Sequence, residues 1–272
     1  AGLEEGVIGL GEPVVCDGVF KEISNPLKCL GHHGPLNVVG GITNSCNVYF
    51  AELAHRMAME GDTYKADKGL ETLKKYASMF GLDETSGIEI FESEPHISDM
   101  DPERSAIGQG TNNYTVSQIN RYVTAVANRG TVYSLSLIDK TTDSNGKLIK
   151  DYTPEVVNQM DEISSSTWDL VHNGMESMVK SSSTFAGMDI SMGGKTGTAQ
   201  YSKIHADNVL FVGYAPADSP EISIAVRIAN GYASTYAAEI GRDITKVYFN
   251  PESADELLQG YASSLGTAGA GD

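Results

Sequence analysis

Apolar side chains at Tyr49, Phe50, Leu53, Ala54 and Met57 recur at helical spacing, and Leu70, Leu73, Tyr76, Ala77 and Phe80 repeat the pattern before Gly81. Such spacing puts one apolar stripe on each of two helices that pack together, with the glycine ending the second. Residues 12–41 carry Gly, Pro and short β-prone runs instead, which predicts irregular hairpins. Thr115-Val-Ser-Gln118 has the capping-box spacing, and Ile119, Tyr122, Val123 and Val126 follow on one helical face, with Gly130 expected as the C-terminal cap. Thr131 to Ile138 alternates as a strand, and Asn145-Gly146 supplies a turn that predicts Lys147 to Tyr152 returning antiparallel to it. A helix is expected over Trp168 to Lys180. Gly193 to Tyr201, Val209 to Ala215 and Ile222 to Ile228 read as an antiparallel meander, closed by a helix over Ala237 to Phe249. Helices followed by a meander and a terminal helix make an α+β pattern. No period of about 20 to 50 residues recurs, which excludes repeat architectures.

Residues 1–250 therefore read as one folded domain. Residues 251–272 form a Gly-, Ala- and Ser-rich tail with too little apolar surface to pack, and mobility is expected there.

Composition narrows the partners. The 272 residues hold 36 acidic and 19 basic side chains, a formal charge of −17, so nucleic acid is excluded as a partner. A hydrophobic content of 40% suits a globular chain, and every apolar run is broken well short of the roughly twenty residues that span a bilayer. The first residues, Ala1-Gly-Leu-Glu-Glu-Gly-Val-Ile8, lack both an initiator Met and a signal-peptide layout, and read as the interior of a longer chain. Three cysteines are too few for a disulfide scaffold, although a hairpin between Cys16 and Cys29 would bring that pair together, bonded or as free thiols. Cys29-Leu-Gly-His32 and His33 near Cys16 lack the ordinary four-ligand zinc spacing, and no H-E-x-x-H occurs, so no metal and no cofactor are expected.

The segment Gly193-Gly-Lys-Thr-Gly-Thr-Ala-Gln200 is not a phosphate loop. Asp189 stands where that motif needs its first glycine, and Thr196 onward suits a strand better than a helix start. As a strand it sends Lys195 and Gly197 one way and Thr196 and Thr198 the other, and Gly197 leaves a bare edge. An extended peptide can pair with such an edge while the ammonium and hydroxyls receive its terminal carboxylate. Ser45-Cys-Asn47 by itself reads as a helix start, with Asn44 or Ser45 capping free amides.

Taken in order, Ser45-Cys-Asn-Val-Tyr-Phe50, Ile107-Gly-Gln-Gly110 and Lys195-Thr-Gly-Thr-Ala-Gln200 resemble the penicillin-binding transpeptidases, over about residues 1 to 250. Phe80-Gly-Leu82, Thr85-Ser-Gly-Ile88, Ala127-Asn-Arg-Gly-Thr131 and Phe211-Val-Gly-Tyr-Ala-Pro216 add to the likeness, which leans toward the class B enzymes of cell elongation. The family's motifs are S-x-x-K, S-x-N and K-T-G. The resemblance implies a serine D,D-peptidase and β-lactamase-like fold, an antiparallel sheet flanked by helices. It implies acyl transfer in which a serine attacks the penultimate D-Ala carbonyl of a peptidoglycan stem peptide, releases the last D-Ala and passes the acyl group to an amine.

Position by position, it implies that Ser45 relays a proton to the leaving amine, Asn47 holds the substrate amide and Lys195 completes the positive pocket. Thr196 and Thr198 would meet the carboxylate of D-Ala or a β-lactam, and the Thr198 amide would form half of the oxyanion hole. Implied partners are stem peptides, β-lactams, a glycan polymerase and cell-elongation proteins, on the outer face of the bacterial cytoplasmic membrane. The first motif is missing: S-x-x-K matches only at Ser144-Asn-Gly-Lys147 and Ser177-Met-Val-Lys180, both after S-x-N. The expectation is a nucleophile and an anchor upstream of residue 1, leaving this chain unable to acylate alone. A carboxypeptidase, or a non-catalytic penicillin-binding sensor or cell-wall scaffold, shares the same motifs.

Overall fold

The structure, a computed structural model, describes residues 1–199, 205–254 and 257. It divides into two compact units, Ala1–Gly174 and Met175–Asp272.

In the first unit, β1 (Val14–Cys16) carries side chains alternately in and out, so Val14 and Cys16 are buried and Val15 is exposed. The nested hairpin of β2 (Val19–Phe20) and β3 (Leu27–Lys28) returns the chain to β4 (Gly34–Leu36), which pairs antiparallel with β1. The irregular hairpins expected over residues 12–41 are these two pairs. They are followed by a helix that the sequence pattern missed, α1 (Val38–Thr43), whose β-branched and glycine residues are poor helix formers. Tertiary contact decides it. Asn37 caps the helix by accepting the Gly40 amide at 3.0 Å, and Gly41 lets α1 lie against Tyr49, where a Cβ would come within 2.6 Å of the ring.

The first expected helix is α2 (Asn47–Ala58), which buries Tyr49, Leu53, Ala54 and Met57 as the spacing implies. Its face closes over Ile8, Val14, Cys16, Phe20, Leu27 and Val38. The hairpin of β5 (Met59–Glu60) and β6 (Thr63–Tyr64) leads to α3 (Ala66–Met79). Left-handed Gly81 ends α3, with the Gly81 amide on Ser78 O and the Leu82 amide on Ala77 O. A side chain at Gly81 would collide with the Arg121 guanidinium, 2.5 Å from its Cβ position. The short α4 (Pro102–Ser105) carries Glu103, almost fully buried, which accepts from His55 Nδ1 at 2.9 Å and from the Tyr64 hydroxyl at 3.0 Å.

The capping box forms as expected at the start of α5 (Val116–Ala127). At its other end Asn128 is the cap and Arg129 takes the left-handed position (φ 63°), one residue before the expected Gly130. β7 (Thr131–Ser134) is shorter than predicted, because Ser136 Oγ accepts the Ile138 amide at 3.0 Å and turns the chain out of extension. Asn145-Gly146 does form a turn, but between β8 (Lys140–Thr142) and β9 (Leu148–Asp151). β7 pairs instead with β10 (Glu155–Gln159). The returning strand expected opposite residues 131–138 is therefore β10. The helix expected over 168–180 is α6 (Ser165–Ser181), whose Trp168 packs with Ala125, Val132, Met160 and Ile163.

In the second unit β11 (Gly193–Ala199), β12 (Asn208–Ala215) and β13 (Ile222–Ile228) form the expected meander, in that order. Phe211 on β12 packs with Met178 and Val179 of α6 and with Ala237 and Ala238 of α7 (Ser234–Phe249). The approach is close enough that a Cβ at Gly241 would stand 2.3 Å from the Phe211 ring. This is the α+β arrangement of antiparallel sheet and packed helices. Gln200 and Tyr201 of the expected first strand, and nearly all of the tail, lie outside the described residues.

Candidate functional site

Ser45 sits where two helices share one turn. The Ser45 amide bonds Ile42 O at 3.1 Å and the Cys46 amide bonds Gly41 O at 3.0 Å, the paired 5→2 and 6→1 bonds that close a helix through a left-handed residue. Ser45 is that residue, at φ 51°. Glycine is usual there, because a Cβ in this conformation costs about 1–2 kcal/mol. The next residue opens α2: Cys46 has extended backbone and its sulfur accepts the Tyr49 amide at 3.4 Å. The capping expected of Asn44 or Ser45 thus falls to Cys46, while Asn44 closes α1. Asn47 is fixed from its other end, its side-chain amide donating to Lys28 O of β3 at 3.0 Å.

Lys195, Thr196, Gly197 and Thr198 stand in the middle of β11, opposite Val212, Phe211, Leu210 and Val209. Among the described residues β11 is an edge strand, so one side of its main chain faces away from β12. Thr198 is exposed and Lys195 is half-buried. The Lys195 ammonium donates to Thr196 O at 2.8 Å, and burial pushes its pKa down from 10.5 to about 8. The backbone at Gly197 is uncrowded: a Cβ would meet Leu210 at an ordinary 3.6 Å. Ser45 and Asn47 belong to the first unit and the K-T-G strand to the second.

Neither S-x-x-K match is shaped for nucleophilic work. Ser144 and Lys147 lie in the exposed β8–β9 turn, and the exposed Lys180, three residues beyond Ser177 on α6, is paired with Glu176 at 2.8 Å.

The first unit also gathers a group of donors that the sequence reading set aside when it expected no metal. Cys16, Cys29, His33 and Cys46 place one ligand atom each within 4.8 Å of one another. Cys29 Sγ is 3.6 Å from His33 Nδ1 and 3.8 Å from Cys46 Sγ. All three cysteines are free, so the bonded alternative for Cys16 and Cys29 is not the one formed. Burial pushes the Cys46 thiol up to about 12. Burial also opposes ionisation of Cys29, but the Val48, Gly31 and Asn47 amides outweigh it and lower its pKa. The group was missed because its fourth member is the middle residue of S-x-N, read there only as a spacer. The available signal was the three cysteines themselves, with Cys16 and Cys29 at opposite ends of the hairpin region. His32, the other candidate, packs on Gly18 instead.

Comparison with known proteins agrees with this architecture. The chain is 30% identical to penicillin-binding protein 2A of Bacillus subtilis over 94% of its length and 40% of the relative's. It is 25% identical to the peptidoglycan D,D-transpeptidase MrdA of Haemophilus influenzae, over 80% of this chain and 37% of that one. The chain thus spans about two fifths of these relatives. The solved structure of penicillin-binding protein 2B from Streptococcus pneumoniae shares the fold with a TM-score of 0.79, at 24% identity, covering 92% of this chain and 46% of that chain. The model of the penicillin binding protein transpeptidase domain matches residues 1–246, and the chain belongs to that family.

Proposed function

We propose that these residues form part of a class B peptidoglycan D,D-transpeptidase that cross-links stem peptides by serine acyl transfer and is acylated by β-lactams. One observation carries the reading: both motifs occupy built positions, Ser45 in a left-handed turn fixed by two main-chain bonds and Lys195 to Thr198 on an edge strand. Relatives bearing the name peptidoglycan D,D-transpeptidase support it.

In this reading Ser45 carries a proton to the leaving amine, and Asn47 orients the substrate amide. Lys195 supplies positive charge, Thr196 and Thr198 bind the terminal carboxylate, and the Thr198 amide donates to the oxyanion. Gly197 keeps the strand bare where the extended peptide pairs. In this reading neither internal S-x-x-K match supplies the nucleophilic serine, since Ser144 and Lys147 lie in the exposed β8–β9 turn and Lys180 is paired with Glu176. The anchored protein works at the outer face of the cytoplasmic membrane with a glycan polymerase and elongation proteins. No helix among the described residues is long and apolar enough to cross a membrane.

Intact mass after incubation with penicillin G tests the assignment, on this chain and on a version extended to include an S-x-x-K serine. An adduct on the longer protein alone is expected. An adduct on the 272-residue chain would transfer the nucleophile to a residue such as Ser177, and no adduct on either would favour the non-catalytic sensor or scaffold.

A further inference from the structure

We propose that Arg104 is a positioning residue for acyl transfer: acting through the β2–β3 hairpin, its guanidinium fixes how the Asn47 side chain is turned. This deepens the acyl-transfer reading and rests on the role given there to Asn47. The path begins where the Asn47 side-chain amide donates to Lys28 O at 3.0 Å. A carboxamide is planar, with its donors on one arm and its acceptor on the other, so holding the nitrogen at Lys28 O turns Oδ1 the opposite way. Lys28 O thereby decides that Asn47 offers a substrate N–H an acceptor. That carbonyl is only as well placed as its hairpin. β2 and β3 have two residues each, too short to hold themselves, and Lys28 is exposed.

Arg104 supplies the missing hold. Its Nη2 donates to Asn25 O, in the turn of that hairpin, at 2.8 Å and from 79 residues away in the sequence. The grip is prearranged: Nη1 is paired with the carboxylate of Asp101, the N-cap of α4, and the Arg104 amide donates to the same carboxylate at 3.2 Å. A planar guanidinium fixed by one arm presents the other in a set direction, which a flexible ammonium does not. Between the gripped carbonyl and that of Lys28 stand Pro26, whose ring locks its φ, and Leu27, buried in the core. Pro26 also confines Asn25 to extended backbone. A displacement at Asn25 therefore reaches Lys28 with little slack.

The main chain of Arg104 holds a second segment. Arg104 O accepts from the Ile107 amide at 3.2 Å and from the Gln109 amide at 3.0 Å, so the I-G-Q-G segment and the S-x-N asparagine are tied to one residue. The Arg104–Asp101 pair is partly exposed, and ion pairs of that kind contribute little to stability. What the arrangement does secure is direction, from the α4 cap through the hairpin to the Asn47 carboxamide.

Two measurements test this. In the 272-residue chain with nitrogen-labelled asparagine, the NMR signal of the Asn47 side-chain amide is identified by its loss in Asn47→Ala, and its proton exchange with water is followed. Arg104→Met keeps the length and removes the guanidinium, and should speed that exchange by about five- to tenfold, the equivalent of one lost hydrogen bond. Pro26→Ala leaves Arg104 intact but slackens the path, and should shift exchange in the same direction. Arg129→Met, which removes the surface pair with Asp169, should leave it unchanged. In the longer protein that includes an S-x-x-K serine, Arg104→Met should slow penicillin G acylation by about 10–100-fold, the effect of a misplaced orienting group. It should slow acylation no further once Asn47 is already Ala. Additive losses in that double-mutant cycle would overturn the proposal, because a residue acting on stability alone costs the same in both backgrounds. Wild-type exchange at Asn47 in Arg104→Met or Pro26→Ala, or equal acceleration in Arg129→Met, would do the same. If penicillin does not acylate the longer wild-type protein, the acyl-transfer reading fails by itself, and exchange at Asn47 still decides whether Arg104 positions that side chain.

Discussion

The Asn47 side-chain amide donates to the Lys28 carbonyl oxygen at 3.0 Å, so the last residue of S-x-N is tied to the β2–β3 hairpin 19 residues earlier in the chain. That bond gives Asn47 a structural role beside the catalytic one proposed for it. Removing it with Asn47→Ala should cost about 1 kcal/mol, the net worth of an ordinary hydrogen bond. The thermal midpoint of the 272-residue chain should fall by about 2–4 °C. An unchanged melting curve would show that water replaces the bond at no cost.

Glu103 presents a second, stronger dependence. Its buried carboxylate accepts from His55 of α2 and from Tyr64 of β6, and the Tyr64 hydroxyl, desolvated and held beside that carboxylate, has its pKa raised. Glu103→Ala leaves two polar groups without their acceptor and should destabilise by about 3–5 kcal/mol. Tyr64→Phe, which removes one donor and leaves the His55 contact, should cost much less. Urea midpoints of the two variants decide it: equal losses would mean that the carboxylate contributes only through Tyr64.

Periodicity made the large elements legible in the sequence. The stripes through Tyr49 to Met57 and Ile119 to Val126, and the meander from Gly193 to Ile228, are patterns that the core enforces directly. Where neighbours rather than pattern decide, the sequence was silent. α1 forms from Val38-Val-Gly-Gly-Ile-Thr43 because Gly41 seats against Tyr49, a contact that no propensity scale contains. The partner of β7 is β10 because Ser136 interrupts the alternation, and the turn at Asn145-Gly146 then pairs only its immediate flanks. At the site, the order of S-x-N and K-T-G revealed the family. The convergence of Cys46 with Cys16, Cys29 and His33 depends on the nested hairpins, which ligand spacing along the chain does not encode.

Lys195 should make stability and anion binding respond to pH in opposite ways. Burial lowers its pKa from 10.5 to about 8, so folding penalises the charged form. Below about pH 8 both folded and unfolded chains carry the proton and the full penalty applies. Between about 8 and 10.5 the unfolded chain holds more protons than the folded one, and this group's contribution to stability therefore rises with pH. Urea midpoints across that window should show the rise in the wild type and lose it in Lys195→Met. Reversible binding of a carboxylate ligand such as penicillin G, which needs the ammonium, should weaken as pH passes about 8. Parallel pH profiles for wild type and Lys195→Met would contradict both.

Ser45 allows its backbone and its hydroxyl to be separated. At φ 51° a serine bears a strain of about 1–2 kcal/mol that glycine does not. Glycine in turn adds about 0.5–1 kcal/mol of unfolded-chain entropy, so Ser45→Gly should leave stability nearly unchanged. Ser45→Val puts a β-branched side chain in the same left-handed turn, where the main-chain bonds from Ser45 to Ile42 and from Cys46 to Gly41 hold it, and should destabilise clearly. If the hydroxyl carries the proton to the leaving amine, Ser45→Gly should slow penicillin acylation of the longer protein by about 10²–10⁴-fold with its melting midpoint intact. Acylation that survives in Ser45→Gly and fails only in Ser45→Val would assign the serine to shaping the turn and leave proton transfer to another group.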